Sequence, residues 1–167
     1  WEELSSINPS LVMLRISGFG QKGPYKNRPG FGTLAEAMSG FASINGYPDR
    51  DPLLPGFALA DQITALFGAY AVMIALHHKQ KTGKGQYIDL PIYEGLMCIL
   101  GNQIMDFDQL GILPKRLGNR MEFTVPRNLY KTKDQKYVAI SGSAQSIVER
   151  LFKAIGREEL IHDPRFI

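Results

Sequence analysis

Apolar residues along this chain recur first at strand spacing and then at helical spacing, and each change of period falls at a glycine or proline cluster. "WEELSSINPSLVMLRIS" reads as the end of a helix running into "SLVMLRIS" (Ser10–Ser17), a β-rich apolar run of strand length. An irregular stretch, "GFGQKGPYKNRPG", follows. "FGTLAEAMSGF" (Phe31–Phe41) sets Leu34, Ala37, Met38 and Phe41 at helical spacing, with Gly40 as its stop. "INGYPDRDPLLPG" (Ile44–Gly56) is a long irregular connection with three prolines. The strongest helix comes next, "FALADQITALFGAYAVMIALHHKQKTG" (Phe57–Gly83), closed by Lys79, Lys81 and Gly83. From Gln62 to Leu76 it carries no charge and is apolar on every face. That uncharged stretch is shorter than the roughly 20 residues a membrane span needs. Its Ala60, Ala65, Gly68, Ala69, Ala71 and Ala75 predict close packing, so a buried core helix is expected.

"GQYIDLPI" predicts a short strand, and "YEGLMCILGNQIMDFDQLG" (Tyr93–Gly111) a second long helix. A linker mixing prolines, glycines and basic residues, "ILPKRLGNRMEFTVPR", leads to "NLYKTKDQKYVAIS", a hairpin expected to turn at Asp134-Gln135. "AQSIVERLFKAIG" is a moderately amphipathic helix ended by Gly156. This order predicts a mixed α/β fold with a boundary near 112–124. Trp1 and the final "HDPRFI" both read as positions in mid-fold, and a piece of a longer chain is expected.

Composition adds little and excludes some classes. With 167 residues, 44% of them hydrophobic, the chain can bury a sizeable core as one domain or parts of two. A net charge of +3 permits an anionic ligand. It is too diffuse to argue for nucleic acid, and no basic run or aromatic-basic interleaving occurs. The single cysteine, Cys98, lies in "GLMCILG" and is expected to be a buried, inert thiol. No basic segment leads into an apolar run at the N-terminus, and a cytoplasmic setting is the default expectation.

Gly18-Phe19-Gly20-Gln21-Lys22-Gly23 spells G-x-G-x-x-G, the dinucleotide fingerprint. That motif needs a strand before it and a helix directly after it, because the pyrophosphate sits on the helix N-terminus. Pro24, Pro29 and Gly30 forbid the helix. The loop therefore reads as a ligand-facing connection. Asp61 is the residue that stands out, the only charge between Asp51 and His77, at the opening of a nearly all-apolar helix. Two readings stand. Asp is a favoured helix N-cap, and a carboxylate held ionised at a helix start can also serve as a nucleophile on an activated acyl group. His77 and His78 read as solvated, and Asp163 before Pro164 as a cap. Asp89 and Glu94 read as surface or capping residues. No metal-ligand spacing, G-x-S-x-G elbow or P-loop frame is found.

The segments "ISGFGQKGPYKNRPGF", "EAMSGF", "NGYPDRDP", "GFALADQITALFGAYAVMIALHHKQKTGKGQYIDLPIYEGL" and "LIHDPRF" resemble, in the same order, the class III CoA-transferases. That family includes formyl-CoA transferase, carnitine CoA-transferase and α-methylacyl-CoA racemase. The resemblance runs from about Glu3 to Phe166 and implies a substantially longer chain. It implies a Rossmann-like large domain that binds CoA, a smaller α+β domain, and two subunits threaded through each other as an interlocked homodimer. Residues 1–111 would be the C-terminal part of the large domain, 112–124 the linker, and 125–167 the start of the small domain. Much of the CoA site, and a glycine-rich loop over the acyl group, would lie on other segments.

By the same resemblance the family's catalytic aspartate falls on Asp61. It would attack an acyl-CoA thioester and pass CoA to a carboxylic acid through covalent aspartyl intermediates. Arg28, Pro29, Gly30 and Phe31 would lie on the segment that contacts CoA, Arg28 either meeting a phosphate or remaining a solvated arginine. Coenzyme A would arrive as part of the substrate. No tightly bound cofactor, metal, nucleic acid or membrane partner is expected. In the racemase branch a histidine stands where this chain has Phe31, which cannot transfer a proton. Transferase is therefore the expectation over racemase. A non-catalytic module keeping only the fold is the third reading, and the presence of Asp61 argues against it.

Overall fold

In a computed structural model, which describes residues 1–166, α1 (Glu2–Ile7) leads into strand β1 (Val12–Ser17). β1 pairs in parallel with β2 (Gln86–Pro91), from Val12↔Gln86 to Ser17↔Pro91. Both strands thus end at the same edge. Parallel neighbours need a long crossover, and here it contains α2 (Gly32–Met38), α3 (Phe41–Ile44) and α4 (Leu59–Thr82).

The small residues of α4 do what their spacing predicts. Ala60, Thr64, Gly68 and Ala75 are its buried positions, spaced by four and seven and therefore on one face. A side chain at Gly68 would stand 2.9 Å from Leu14 Cδ2 and 3.5 Å from Leu90 Cδ2. Glycine there lets the helix settle directly on the sheet. Strand alternation puts Leu14 and Ile16 on that same face.

The rest of α4 departs from the expected buried helix, since Leu66, Tyr70, Met73 and Ile74 are exposed. The small-residue stripe, with Leu59 and Ile63 beside it, meets the sheet and the neighbouring helices, and the face of Leu66, Tyr70, Met73 and Ile74 is left uncovered. By length and composition it is also a helix long and apolar enough to cross a membrane. Its packing is that of a crossover helix laid on a parallel pair.

Gly40, at φ +91°, stops the helix over α2 as its sequence predicts, and α3 starts after it. One expected helix is broken. The run Tyr93–Gly111 splits into α5 (Ile92–Ile99) and α6 (Gln103–Leu110) at Gly101, whose φ of +72° turns the chain out of helical geometry. Cys98 is exposed, not buried. The buried face of α5 is carried by Gly95 and Leu96, and Cys98 falls off it.

α2, α4 and α5 meet in a small core of Ala35, Ala60 and Leu96, ringed by Phe41, Leu59, Ile63, Ile92 and Tyr93. Leu96 is fully buried, a burial that contributes roughly 1.5–3 kcal/mol. Thr64 Oγ1 donates to the Ala60 carbonyl at 2.7 Å, which uses the hydroxyl's hydrogen-bonding capacity inside this core.

The chain divides into two compact units, one of Trp1–Gly46 with Arg50–Arg116, the other of Tyr47–Asp49 with the residues from Leu117 onward. In the second, β3 (Arg127–Lys131) and β4 (Tyr137–Ser141) form the antiparallel hairpin, registered from Arg127↔Ser141 to Lys131↔Tyr137. Its turn passes through Gln135 at φ +64°. α7 (Gln145–Ala154) buries Val148 and Phe152, one turn apart, and Phe152 meets the Phe166 ring edge-on at 5.5 Å.

Near the end of this unit Arg165 grips both oxygens of Asp163, and Asp163 Oδ1 also accepts the Arg165 backbone N–H at 3.0 Å. The guanidinium bonds hold the Asp163 carboxyl down to about 2, against an ordinary 3.8. A depressed acid contributes stability above its unfolded value and loses it as the pH falls through the folded one. Carboxyl-carbon NMR is therefore expected to show Asp163 titrating near pH 2 in the wild type. In Arg165→Ala its midpoint should return towards 3.8. An unmoved midpoint would show that the pair does not form in solution.

Candidate active site

In parallel sheets, ligands bind outside the carboxyl ends of the strands. The loop leaving β1 begins there. Its glycines serve a chain crossing: a side chain on Gly18 would lie 2.5 Å from the Gly30 Cα, and one on Gly30 would lie 2.9 Å from the Gly18 Cα. Ser17 Oγ accepts the Gly20 N–H at 3.1 Å, and Asp89 Oδ2 on β2 accepts the Gln21 N–H at 2.9 Å. No helix opens until Gly32, so the dinucleotide spelling is coincidental, as the prolines predict.

Asp89 corrects its sequence reading. It is a half-buried residue that ties the loop to the neighbouring strand. Its other oxygen, Oδ1, is buried with no partner among the described residues. Glu94, in the first turn of α5, remains solvent-exposed. Partial burial, and then the Asp89 charge, raise its carboxyl above the usual range.

Further round the loop, the Arg28 guanidinium stacks 4.1 Å above the Tyr25 ring, which packs edge-on against Phe19 at 5.5 Å. Arg28 and Pro29 are exposed, and Gly30 is committed to the crossing with Gly18. Phe31 is 60% exposed and is the N-cap residue of α2.

Asp61 sits in the first turn of α4, but the N-cap is Ala58 and no side chain caps that residue. The cap reading of Asp61 is therefore corrected. The Ala60 N–H, the donor an N-terminal side chain would take, is bonded at 3.3 Å by Glu36 Oε1 from α2. Glu36 is 4% exposed. Among the described residues the Asp61 carboxylate has no hydrogen-bond partner. Its Cγ lies 3.0 Å from the place a side chain on Gly32 would occupy, so it rests against bare backbone. Asp61 and Glu36 line one cavity of about 430 Å³ with Phe31, Gly32, Phe57 and Leu54. Of the residues singled out in the sequence, the structure brings Asp61 and Phe31 together there; Arg28, Pro29 and Gly30 do not line it.

Sequence reasoning missed Glu36 and Gly32. Glu36 had the signal that exposed Asp61, a lone acid in a small and apolar helix, "TLAEAMSGF". Gly32 had none, because only the fold sets it against α4.

The candidate site of this α/β fold is thus a carboxylate in the first turn of the crossover helix α4, facing a cavity. The chain belongs to CoA-transferase family III, which it matches over residues 1–167. It is 42% identical over 166 residues to succinyl-CoA–D-citramalate CoA-transferase of Chloroflexus aurantiacus, covering 99% of this chain and 41% of that protein. It is 44% identical over 161 residues to the alpha subunit of succinyl-CoA–L-malate CoA-transferase of the same organism, covering 96% of this chain and 38% of the relative. A CAIB/BAIF family protein from Brucella suis superposes with a TM-score of 0.79 at 36% identity, over 99% of this chain and 44% of its own. The chain thus spans about two fifths of the length of these curated relatives.

Proposed function

We propose that the protein transfers coenzyme A from an acyl-CoA thioester to a carboxylic acid through covalent intermediates on Asp61. What carries this reading is the Asp61 carboxylate itself, unbonded among the described residues and set against the Gly32 backbone in a cavity at a helix start. An Asp61 oxygen attacks the thioester carbonyl, the carbon–sulfur bond breaks, and CoA leaves as thiolate from an aspartyl-acyl anhydride. The thiolate then attacks the aspartyl carbonyl, releasing the donor acid as its carboxylate and leaving an aspartyl-CoA thioester. The acceptor carboxylate attacks that thioester and expels the thiolate again. Attack of the thiolate on the acceptor's carbonyl gives the new acyl-CoA and restores Asp61.

Both curated relatives are named for succinyl-CoA and a hydroxy-dicarboxylate, and a dicarboxylic acid is the acceptor class we favour. Phe31 on the cavity wall cannot transfer a proton, which favours transfer over racemisation. We read residues 1–111 as part of the CoA-binding large domain, 112–124 as the linker and 125–167 as the start of the small one. We also read the protein as a cytoplasmic, interlocked homodimer; the apolar faces of α4 left uncovered support a subunit partner. Arg28 at the loop surface suits a CoA phosphate.

Succinyl-CoA without acceptor is expected to leave a covalent adduct on the peptide containing Asp61, and hydroxylamine should trap it as a hydroxamate. Mass spectrometry placing the adduct on another residue would overturn the mechanism.

A further inference from the structure

Glu36 is a carboxylate at 4% exposure, and carboxylates are almost never buried to that degree without compensation. Its compensation is specific. Oε1 accepts the Ala60 N–H, in the first turn of α4, at 3.3 Å. The helix dipole places partial positive charge at that same end. Ala58, the N-cap residue, offers no acceptor side chain, so a residue from another helix supplies the one that is missing.

The residue after Ala60 is Asp61. In a first turn whose donors are free, an aspartate folds back to bond them. Each such bond stabilises the carboxylate and makes its oxygens less basic. Glu36 closes the Ala60 N–H to Asp61, and the Asp61 oxygens face the cavity that both residues line. The charge has a second consequence. When an Asp61 oxygen bonds the acyl carbon and the thiolate leaves, Asp61 loses its negative charge. A neighbouring anion favours that loss, and Glu36 keeps the helix start paired with a negative charge throughout.

We infer that Glu36 is a positioning residue for Asp61: its buried carboxylate caps α4 from the neighbouring helix, which frees the Asp61 carboxylate and favours its acylation. This rests on the reading of Asp61 as the nucleophile.

The test measures single-turnover adduct formation on Asp61 from succinyl-CoA in the intact protein, with KM and melting temperature alongside. Glu36→Gln keeps an oxygen acceptor and loses the charge. It is expected to acylate about tenfold more slowly, a change worth about 1.4 kcal/mol, with KM within about twofold. Glu36→Leu loses acceptor and charge, and should fall about a hundredfold in acylation rate, again with little change in KM. A structural role alone would lower stability or raise KM without that split. Acylation of Glu36→Gln at the wild-type rate overturns the proposal, and this variant decides the matter even if Glu36→Leu does not fold. Failure of the nucleophile reading looks different: the wild type would then carry no adduct on Asp61.

Discussion

Asp61→Asn is expected to lower CoA transfer by roughly 10³-fold or more, the scale seen when a nucleophile is removed from a covalent mechanism, while leaving the melting temperature almost unchanged. The two halves come from different observations. The amide cannot form the anhydride, so the covalent route closes at its first step. The stability half follows from the helix start. Asp61 is not the cap, and the Ala60 donor belongs to Glu36, so substitution breaks no hydrogen bond among the described residues. What it loses is the charge's interaction with the helix dipole, typically about 0.3–1 kcal/mol at an exposed site. Were Asp61 a pure cap, Asn would replace it with little effect on either quantity. Steady-state transfer and a thermal melt on one preparation distinguish the cases. Retained activity sinks the nucleophile; a large drop in melting temperature sinks the account of the helix start.

How much of this was legible in the sequence depends on whether the deciding contact is local. Asp61 was legible because one acid in a long apolar run is a local anomaly. That it is not the cap was not legible, because the competing acceptor, Glu36, lies 24 residues before Ala60 and reaches α4 only through packing. The loop after β1 was correctly denied a dinucleotide role, since proline chemistry acts at the residue itself. Its tie to Asp89, 68 residues away, was invisible for the opposite reason.

The helices divide in the same way. α4 was readable from its long uncharged run and α7 from its period, each with a glycine stop. α5 and α6 were read as one because "MCILGNQIM" continues the apolar pattern through Gly101. A single glycine in a helix costs only about 1 kcal/mol and does not by itself announce a break. The buried-helix reading of α4 failed on its outer faces. Composition reports how apolar a helix is, while which faces are covered depends on what packs against it. The stripe through Ala60, Thr64, Gly68 and Ala75 is buried, while Leu66, Tyr70, Met73 and Ile74 are exposed.

Gly32→Ala is expected to separate activity from stability most cleanly. The added methyl would stand 3.0 Å from Asp61 Cγ and closer still to Oδ2, so the carboxylate has to turn away. That movement is cheap, because the obstructed atoms are the free end of a side chain with no hydrogen bond to lose among the described residues. Gly32 lies at the first position of α2, outside the left-handed region. Alanine there is favoured over glycine by roughly 0.5–1 kcal/mol in helical conformation. The melting temperature should therefore hold or rise slightly. Catalysis should not, since a nucleophile displaced by about 1 Å can lose about 10²-fold in rate. The expected result is a kcat about a hundredfold below wild type, slower trapping of the Asp61 adduct by hydroxylamine, and an unchanged or higher melting temperature. A Gly32→Ala protein with wild-type kcat would show that the Asp61 carboxylate does not work from its place against the Gly32 backbone.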